Sequence, residues 1–380
     1  MPHNAEMKLI DKDPLRTIAQ LMTSILKLDD VSAVLAPMQL PMEKQIMPML
    51  VTDPERLERV DPLAPAFPLS TAKVVSRLTR KTLGGKIVAL LRPCEIRAFI
   101  ELEKLNQGDN RELVMVAVDC LGAYPNKDYY RVVGDDLRAT SLQFYENAMA
   151  GETGEIDLAP ACKVCTQPFG EGADIQIGLL GRQTGDPLIV TAATDAGIGL
   201  LSQLDLETAE VGQARQEATE ALMVQRQAAR DKMMAETTEA TSSLEKLTTY
   251  LAHCTNCYNC RVACPVCYCK ECVFVTDAFN HDPVQYLQWA QRKGEVKMPT
   301  DTVFYHITRL AHMSTACVGC GQCSNACPND IPVAELFMTI SQRTQKAFDY
   351  QAGRSLDEKP PLSVFKEDEF EEVVGITATI

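Results

Sequence analysis

The sequence predicts an α/β N-terminal domain followed by a mainly α-helical C-terminal domain. Short apolar segments alternate with helical segments up to about residue 200. A long segment without glycine or proline follows, and after it a cysteine pattern occurs twice with helical segments between the copies. We expect an α/β domain at 1–204, a helical connector at 205–250, the helical domain at 251–352 and a tail at 353–380.

The first domain is predicted to alternate strands and helices around a sheet. Short apolar runs bounded by turn residues are typical of buried strands, and apolar residues at helical spacing indicate helices. The prolines between residues 37 and 68 predict an irregular segment with one strand at 47–51. The other predicted elements are a helix at 15–28, a strand at 31–35, a helix at 71–83 ending at Gly84-Gly85, a strand at 86–91, a helix at 95–105, and strands at 113–118, 173–179 and 188–192.

Four cysteines of this domain lie where an α/β sheet gathers ligands. Cys94 and Cys120 each follow a predicted strand, and Cys162 and Cys165 form a C-x2-C pair in a loop rich in glycine and proline. Open α/β sheets bind ligands beyond the carboxyl ends of their strands. The four thiolates could complete a cluster site, or Cys94 and Cys120 could be ordinary buried thiols.

The connector is predicted to be helical. Residues 213–250 contain neither glycine nor proline and are rich in alanine, glutamate, glutamine, arginine, lysine and methionine, all of which favour helix. We expect one long helix or a pair of helices, with breaks at 237–238 or 241–243. The apolar positions do not keep a heptad, which argues against a coiled coil.

The C-terminal domain contains the spacing C-x2-C-x2-C-x3-C-P twice. In such a pair, three closely spaced thiolates bind one iron-sulfur cube and the fourth usually binds the other cube. The repeat therefore predicts two 4Fe-4S clusters with crossed ligation. One cluster would be held by Cys254, Cys257, Cys260 and Cys327, and the other by Cys317, Cys320, Cys323 and Cys264.

Zinc and disulfides are the competing interpretations of these cysteines. A zinc site would use two C-x2-C pairs without the third cysteine and the proline, and disulfides need an oxidising compartment. Three further cysteines, Cys267, Cys269 and Cys272, follow the first copy. They could hold a fourth cluster with one outside ligand, or bind nothing and pack beside the first pair.

Helices are also predicted between and after the two copies. Pro283 begins one through Trp289, a second with a cap at Thr300 or Asp301 extends to residue 313, and a third follows Pro332 to about residue 350. Helices of this length are typical of an α-helical two-cluster ferredoxin. Residues 355–380 would form a disordered tail or an arm that orders on a partner.

Composition restricts the class of protein and its compartment. The 51 acidic and 37 basic residues give a formal net charge of −14, which argues against nucleic acid and anionic membranes as partners. No segment has the roughly 18 apolar residues of a membrane span, and residues 1–16 lack the apolar region of a secretory signal. The 15 cysteines then predict metal ligation in a reducing cytoplasm.

Several segments resemble the beta subunits of F420-reducing hydrogenases and formate dehydrogenases. The segment 86–96, with Arg92-Pro93-Cys94, resembles a strand and Pro-Cys-Gln-Ile segment of that family, and 119–122 resembles the region of its next cysteine. Cys162 and Cys165, followed by Ala-Asp-Ile and a Gly-x-x-Gly segment at 173–181, are similar to another of its signatures. The helical domain resembles cluster modules of formate dehydrogenase beta subunits and of heterodisulfide reductase and succinate dehydrogenase iron-sulfur subunits.

The resemblance implies a third 4Fe-4S cluster on Cys94, Cys120, Cys162 and Cys165, with FAD beside it. In the family the flavin exchanges a hydride with coenzyme F420, and clusters carry electrons singly. It also implies an oxidoreductase subunit of an anaerobic enzyme, without catalytic acid, base or nucleophile of its own. Its partners would be a soluble carrier and a formate dehydrogenase, hydrogenase or heterodisulfide-reductase-like subunit. The family usually has a glycine pair before its first helix, which 16–24 lacks, so a flavin-free relay without a substrate site is the alternative.

Overall fold

An eight-stranded mixed sheet forms the centre of the N-terminal half. The structure, a computed structural model, describes residues 3–41, 43–81, 84–152, 154–210, 212–277, 282–293 and 302–364. The strands are β1 (His3–Met7), β2 (Val31–Gln39), β3 (Ile46–Val51), β4 (Lys86–Leu91), β5 (Leu113–Val118), β6 (Ile175–Gly178), β7 (Leu188–Ala192) and β8 (Glu207–Thr208).

The sheet has the order β3-β2-β4-β5-β6-β7-β1-β8. Its four central strands, β2, β4, β5 and β6, are parallel, so their carboxyl ends lie at one edge. The outer pairings, β2 with β3, β6 with β7, and β1 with β7 and β8, are antiparallel. The α/β prediction is confirmed, with a parallel centre between antiparallel margins.

Seven helices of the described chain accompany this sheet. They are α1 (Pro14–Leu26), α2 (Ala72–Leu78), α3 (Pro93–Lys104), α4 (Asn126–Val132), α5 (Leu137–Ala150), α6 (Pro160–Lys163) and α7 (Asp195–Leu201). The α3 helix begins immediately after β4, because Pro93 suits the first turn and the Glu95 carboxylate accepts the Arg92 backbone N–H at 2.9 Å.

The C-terminal half is helical, as predicted. Its helices are α8 (Gln213–Ala240), α9 (Leu244–Tyr250), α10 (Asn259–Ala263), α11 (Pro283–Lys293), α12 (Thr302–Met313), α13 (Gln322–Asn325) and α14 (Val333–Ala347). The described helices include none with the length and apolar character that a bilayer-spanning segment needs.

Alternate residues of the central strands contribute to two separate apolar clusters. In β4, Val88 and Leu90 join the cluster that contains α1 and α5, whereas Ile87, Ala89 and Leu91 join the other. Side chains of successive strand residues point to opposite faces, which explains the division. The second cluster also contains residues of α12 and α14, so the helical half packs on one face of the sheet.

Several predicted elements differ in the structure. The helix expected at 71–83 ends at Leu78, and the Thr79 hydroxyl then accepts the Asp109 backbone N–H. The segment 37–68 is more regular than expected, because β2 continues to Gln39 and a 3-10 helix occupies Pro54–Arg59. The connector is a pair of helices separated at 241–243. The cap expected at Thr300 or Asp301 and residues 365–380 of the tail lie outside the described residues.

Candidate iron-sulfur centres

The first group of cysteines, which we name the strand-end group, comprises Cys94, Cys120, Cys162 and Cys165. Cys94 is the second residue of α3, Cys120 follows β5, and Cys162 and Cys165 lie in and just after α6. Burial, together with the nearby Cys120 and Cys165 thiolates, raises the pKa of Cys162 to about 12. The Cys120 N–H donates to the Pro168 carbonyl at 2.8 Å, which holds the C-x2-C loop against the strand end.

Arg92 supplies positive charge to the strand-end group. Its Nη1 lies 3.6 Å from the Cys120 sulfur and 3.2 Å from the Gly122 carbonyl. The same guanidinium lies over the Phe67 ring at 5.1 Å and donates to the carbonyls of Ala64 and Ala66 at 2.8 Å. The thiolates of Cys120, Cys94 and Cys162 act together with Glu95 to raise its pKa, against the opposing effect of burial.

The second group, which we name the central group, comprises Cys264, Cys317, Cys320 and Cys323. Burial raises the pKa of Cys317, Cys320 and Cys323, and the Cys264 thiolate raises each of them further. Cys264 belongs to the first sequence copy and the other three to the second. The structure therefore brings these four thiols together in the combination that crossed ligation requires.

The third group, which we name the outer group, comprises Cys254, Cys257, Cys260 and Cys327. Burial raises the pKa of Cys254, and the thiolates of Cys260, Cys257 and Cys327 raise it further. The Asn329 amide donates to the His253 carbonyl at 2.7 Å, so the end of the second copy is attached to the start of the first. Cys257 is exposed whereas Cys260 is buried, so one corner of this group faces solvent.

The two copies have the same backbone geometry around their second cysteine. Asn256 and Tyr258 flank Cys257 with φ values of 52° and 60°, and Gly319 and Gly321 flank Cys320 with 68° and 77°. Left-handed residues on both sides of a cysteine turn the chain tightly around a centre. The sequence repeat is thus also a repeat of conformation.

The three groups lie in a row. The Cys320 thiolate of the central group is close enough to Cys94 to raise its pKa, after the larger effect of burial. At the same boundary the backbone of Gly321 meets Ala161 of α6, since a Cβ on Gly321 would lie 2.5 Å from the Ala161 Cβ. Arg309 lies at the other boundary, where thiolates of both the outer and the central groups raise its pKa, although burial opposes them.

The buried charge of Arg309 indicates whether the surrounding cysteines suit an anionic cluster. Arg309 is 4% exposed and makes no ion pair with a carboxylate within the described ranges. It donates from Nη1 to the Cys260 sulfur at 3.2 Å and from Nη2 to the Cys260 carbonyl at 3.2 Å. A buried guanidinium is unfavourable unless an anion faces it, and protonated thiols provide no charge. Thiolates bound to iron provide it, so the residues present fit an iron-sulfur cluster.

A single metal ion fits the described cysteines less well. Within the part of the chain that the structure describes, no three histidine, cysteine, aspartate or glutamate side chains are placed to hold one ion, and all 15 cysteines are free thiols. In a 4Fe-4S cube each thiolate binds a different iron, so its sulfurs need not converge on one point.

Cys267, Cys269 and Cys272 follow the first copy without forming a comparable group. Burial, with a contribution from the nearby Cys264 and Cys269 thiolates, raises the pKa of Cys267 to about 11. Cys269 is exposed and Cys272 is half-buried. Their role in a fourth cluster stays a prediction.

A cavity of about 20 Å³ lies within the central group, lined by all four of its cysteines. Two other cavities lie beside the strand-end group. One has a volume of about 20 Å³ and lies at the ends of β4 and β5, where Arg92, Asp119 and Cys120 line it. The other, of about 360 Å³, lies between the strand-end and central groups, with Cys165, Cys317, Arg97 and Arg230 in its wall. The first holds about one water molecule, whereas the second reaches the size of small-molecule pockets.

Sequence reasoning missed the arginines and the aromatic residues around the sulfurs. Arg309 and Tyr305 are spaced i and i+4 on α12, so a charge within an apolar helical face was the available signal. Arg92 belongs to the Arg-Pro-Cys motif, which does not indicate that its side chain contacts Cys120. Contacts of this kind form only on tertiary packing, so the spacing of residues along the sequence does not predict them.

A protein family and a solved structure are similar to parts of this chain. The family described as a 4Fe-4S dicluster domain matches residues 250–331, which contain both sequence copies. The F420-reducing [NiFe] hydrogenase complex from Methanosarcina barkeri has a chain similar in structure, with a TM-score of 0.46, 16% identity, and coverage of 64% of this chain and 94% of that one.

Two formate dehydrogenase subunits are similar over most of the sequence. The F420-dependent formate dehydrogenase subunit beta of Methanocaldococcus jannaschii is 26% identical over 314 residues, covering 75% of this chain and 78% of the relative. The F420-dependent formate dehydrogenase 1 subunit beta of Methanococcus maripaludis is 26% identical over 308 residues, covering 73% and 75%. The predicted resemblance is confirmed: the chain is similar over about three quarters of its length to beta subunits of F420-dependent formate dehydrogenases, which are oxidoreductases, and its residues 250–331 match a 4Fe-4S dicluster domain.

Proposed function

We propose that this chain is an electron-transfer subunit in which the strand-end, central and outer groups each hold a 4Fe-4S cluster. The observation that carries the proposal is the row of three four-cysteine groups, in which Cys320 lies near Cys94 and Arg309 lies between the central and outer groups. Each bound cluster would accept and release one electron at a time. The protein would hold the clusters close together in a buried interior.

The residues around the groups would perform the binding and the electrostatic work. The backbone at Asn256, Tyr258, Gly319 and Gly321 would wrap the two ferredoxin sites. Arg92 and Arg309 would offset the negative charge of the thiolates, since each contacts a cysteine sulfur directly. No proton transfer or nucleophile is needed for this function, because electron transfer makes and breaks no covalent bond.

The names of the relatives suggest the carrier and the partners. Both formate dehydrogenase relatives are named as F420-dependent beta subunits. By analogy, this chain would carry electrons between an F420-like soluble carrier and a formate dehydrogenase, hydrogenase or heterodisulfide-reductase-like subunit. A flavin would be needed to convert the carrier's hydride into single electrons for the clusters, because each cluster accepts one electron at a time. Electrons would enter or leave at two places. One is the strand-end group, and the other is the outer group at the exposed Cys257.

FAD remains a prediction from the resemblance, and the cavity beside Cys120 is too small for it. The cavity beside Cys120 has about 20 Å³, whereas organic cofactors occupy clefts of roughly 300 Å³ or more. The Gly178–Gly181 segment is covered by Arg215, because a Cβ on Gly181 would lie 2.2 Å from the Arg215 Cα. We derive no step through flavin at this place.

This small cavity is compatible with a second candidate function, a flavin-free relay. Such a subunit would receive electrons from a flavin or metal centre on another polypeptide and would pass them through its three groups. The larger cavity between Cys165 and Cys317 is the described space where a small carrier could approach two groups.

Iron, acid-labile sulfide and flavin measured on one anaerobically purified sample test both candidates. Three clusters predict about 12 iron atoms per chain, and a fourth on Cys267, Cys269 and Cys272 would raise the value to about 16. Flavin released on denaturation would support the carrier-reducing subunit, and its absence would support the relay. Zinc in place of iron and sulfide would contradict both.

A further inference from the structure

Helix α12, which lies between the two cysteine motifs, directs three buried polar side chains at the outer group. Tyr305, His306 and Arg309 are 1%, 1% and 4% exposed. The Tyr305 hydroxyl lies 3.4 Å from the Cys260 sulfur, and the His306 Nε2 lies 3.5 Å from the Cys254 sulfur. The Arg309 Nη1 donates to the Cys260 sulfur at 3.2 Å. A thiolate bound to iron carries no proton, so all three side chains would then be donors.

Aromatic rings keep these side chains in place. Arg309 lies over the rings of Phe337 and Tyr305, at 4.7 and 5.6 Å. Tyr305 in turn makes edge contacts with the rings of Tyr258 and Phe274, both at 4.9 Å. A side chain packed on several sides cannot move away when the charge on the sulfur changes. The donors are therefore organised before any electron arrives.

The central group has fewer side-chain donors to its sulfurs. Burial raises the pKa of Cys317 and Cys320, although the charges of Arg230 and Arg97, respectively, lower it from a longer range. Backbone N–H groups of Gly319 and Gln322 contact Cys317 and Cys320, and the Ser341 hydroxyl lies beside Cys317. Arg309 lies near Cys264 and Cys323 but donates to Cys260. The outer group also has the exposed Cys257, where water can stabilise added charge. Donors to cluster sulfurs and exposure both favour the more negative, reduced state.

We infer that Arg309, supported by Tyr305 and His306, raises the reduction potential of the outer cluster above that of the central cluster, so that electrons pass from the central to the outer group. With clusters bound, one electron would pass from the cluster held by the central group to the cluster held by the outer group. No bond forms or breaks and no proton is required. The electron would then leave the chain at Cys257 to a redox partner. This inference rests on the proposed function and adds its direction.

The test is a redox titration of the full chain, loaded with clusters under anaerobic conditions and followed by electron paramagnetic resonance. Cys257→Ala identifies the signal of the outer cluster by its loss or change. We expect that signal to have the higher midpoint potential of the two ferredoxin clusters. In Arg309→Met the reduced-to-oxidised ratio of the outer cluster, at the wild-type midpoint potential, should fall at least tenfold, equivalent to about 59 mV for one electron.

Three variants make the test specific to α12. Arg309→Lys keeps the positive charge, so its outer cluster should have a midpoint potential between those of the wild type and Arg309→Met. Tyr305→Phe removes one hydroxyl with little change in volume and should lower the reduction potential of the outer cluster by a smaller amount. If Arg309→Met does not retain the cluster, the result for Tyr305→Phe tests the inference instead. Arg343→Met is the matched control, because Arg343 on α14 is exposed and donates to Thr238. Its potentials should equal those of the wild type.

Two results would overturn the inference while leaving the relay intact. One is a central cluster with the higher potential, and the other is an unchanged outer potential in both Arg309→Met and Tyr305→Phe. A wild-type protein without iron and sulfide would instead contradict the proposed function itself.

Discussion

Left-handed residues determine how closely the cysteine loops approach their surroundings. Tyr258 and Gly321 occupy equivalent positions after the second cysteine of each copy, yet one is a large aromatic residue and the other is glycine. The left-handed conformation alone does not explain this difference, since Tyr258 also adopts it. The neighbour of Gly321 does, because Ala161 leaves no room for a Cβ there.

Replacement of Gly321 by alanine should therefore weaken the boundary between the strand-end and central groups. The left-handed backbone costs an alanine about 1–2 kcal/mol, and overpacking against Ala161 adds about 1–3 kcal/mol. Gly151→Ala is the matched control, since Gly151 has a φ of 71° with nothing within 4 Å of its Cβ position. Thermal unfolding and iron analysis should show a larger loss of stability and of bound iron for Gly321→Ala than for Gly151→Ala. Equal losses in the two variants would mean that only backbone strain matters.

At the scale of elements, the start of α8 is attached to the carboxyl end of β5. Arg215 is bonded through both terminal nitrogens to the Asp119 carboxylate, with one contact at 2.9 Å. Asp119 also accepts the backbone N–H groups of Leu179 and Leu180, at 2.8 and 3.1 Å. Since Asp119 directly precedes Cys120, this buried network helps to position one thiol of the strand-end group.

Arg215→Met should destabilise the protein by about 3 kcal/mol, because it leaves the buried Asp119 carboxylate without its cation. Lys8→Met provides the comparison, since its ion pair with Glu207 has side chains 74% and 68% exposed. Loss of that surface pair should change stability by less than about 1 kcal/mol. Urea unfolding under anaerobic conditions measures both. A loss for Arg215→Met no larger than that for Lys8→Met would show that the backbone donors suffice for Asp119.

At the scale of the whole molecule, a buried carboxylate joins the two ends of the fold. Glu101 on α3 accepts hydrogen bonds from the Tyr350 hydroxyl at 2.6 Å, the Gly353 N–H at 2.7 Å and the Lys104 ammonium at 3.0 Å. Because α3 also carries Cys94 and Tyr350 follows α14, this contact holds the strand-end group in place beside the ferredoxin motifs.

Glu101→Ala should release the segment around Tyr350 and Gly353 from α3. The substitution removes the acceptor of three buried donors and leaves the Lys104 charge poorly compensated, which should cost about 3–5 kcal/mol. Hydrogen exchange at 349–354 should become much faster. Glu103→Ala is the control on the same helix, because Glu103 accepts the Asn110 N–H at 3.1 Å within the sheet half. Unchanged exchange at 349–354 in Glu101→Ala would contradict the role of this contact.

Crossed ligation between the two cysteine copies can be tested on the whole molecule. Cys327→Ala changes the second sequence copy, yet under crossed ligation it should alter the cluster held mainly by the first copy, because Cys327 lies beside Cys254. Comparison with Cys257→Ala by electron paramagnetic resonance checks this, since both variants should disturb the same signal. Disturbance of the central signal instead would indicate that each copy binds its own cluster.

The sequence alone determined much of the architecture. Apolar periodicity located β4, β5 and β7 and the helices on either side of the cysteine motifs, because strand and helix patterns are local properties. It did not reveal β1, α4 and α5, nor the antiparallel margins of the sheet. Pairing between distant strands, such as β1 with β7, depends on contacts that no local window contains.

The candidate site divides in the same way. Cysteine spacing predicts the type of cofactor, since the number and spacing of thiolates in a short loop reflect the shape of what they bind. Only the tertiary structure decided which distant cysteines are neighbours, that Arg309 lies between two groups, and that Glu101 holds the C-terminal segment beside the sheet. The physical reason is that a thiolate can be recognised from its own short motif, whereas its electrostatic environment is built by residues that meet only when the chain has folded.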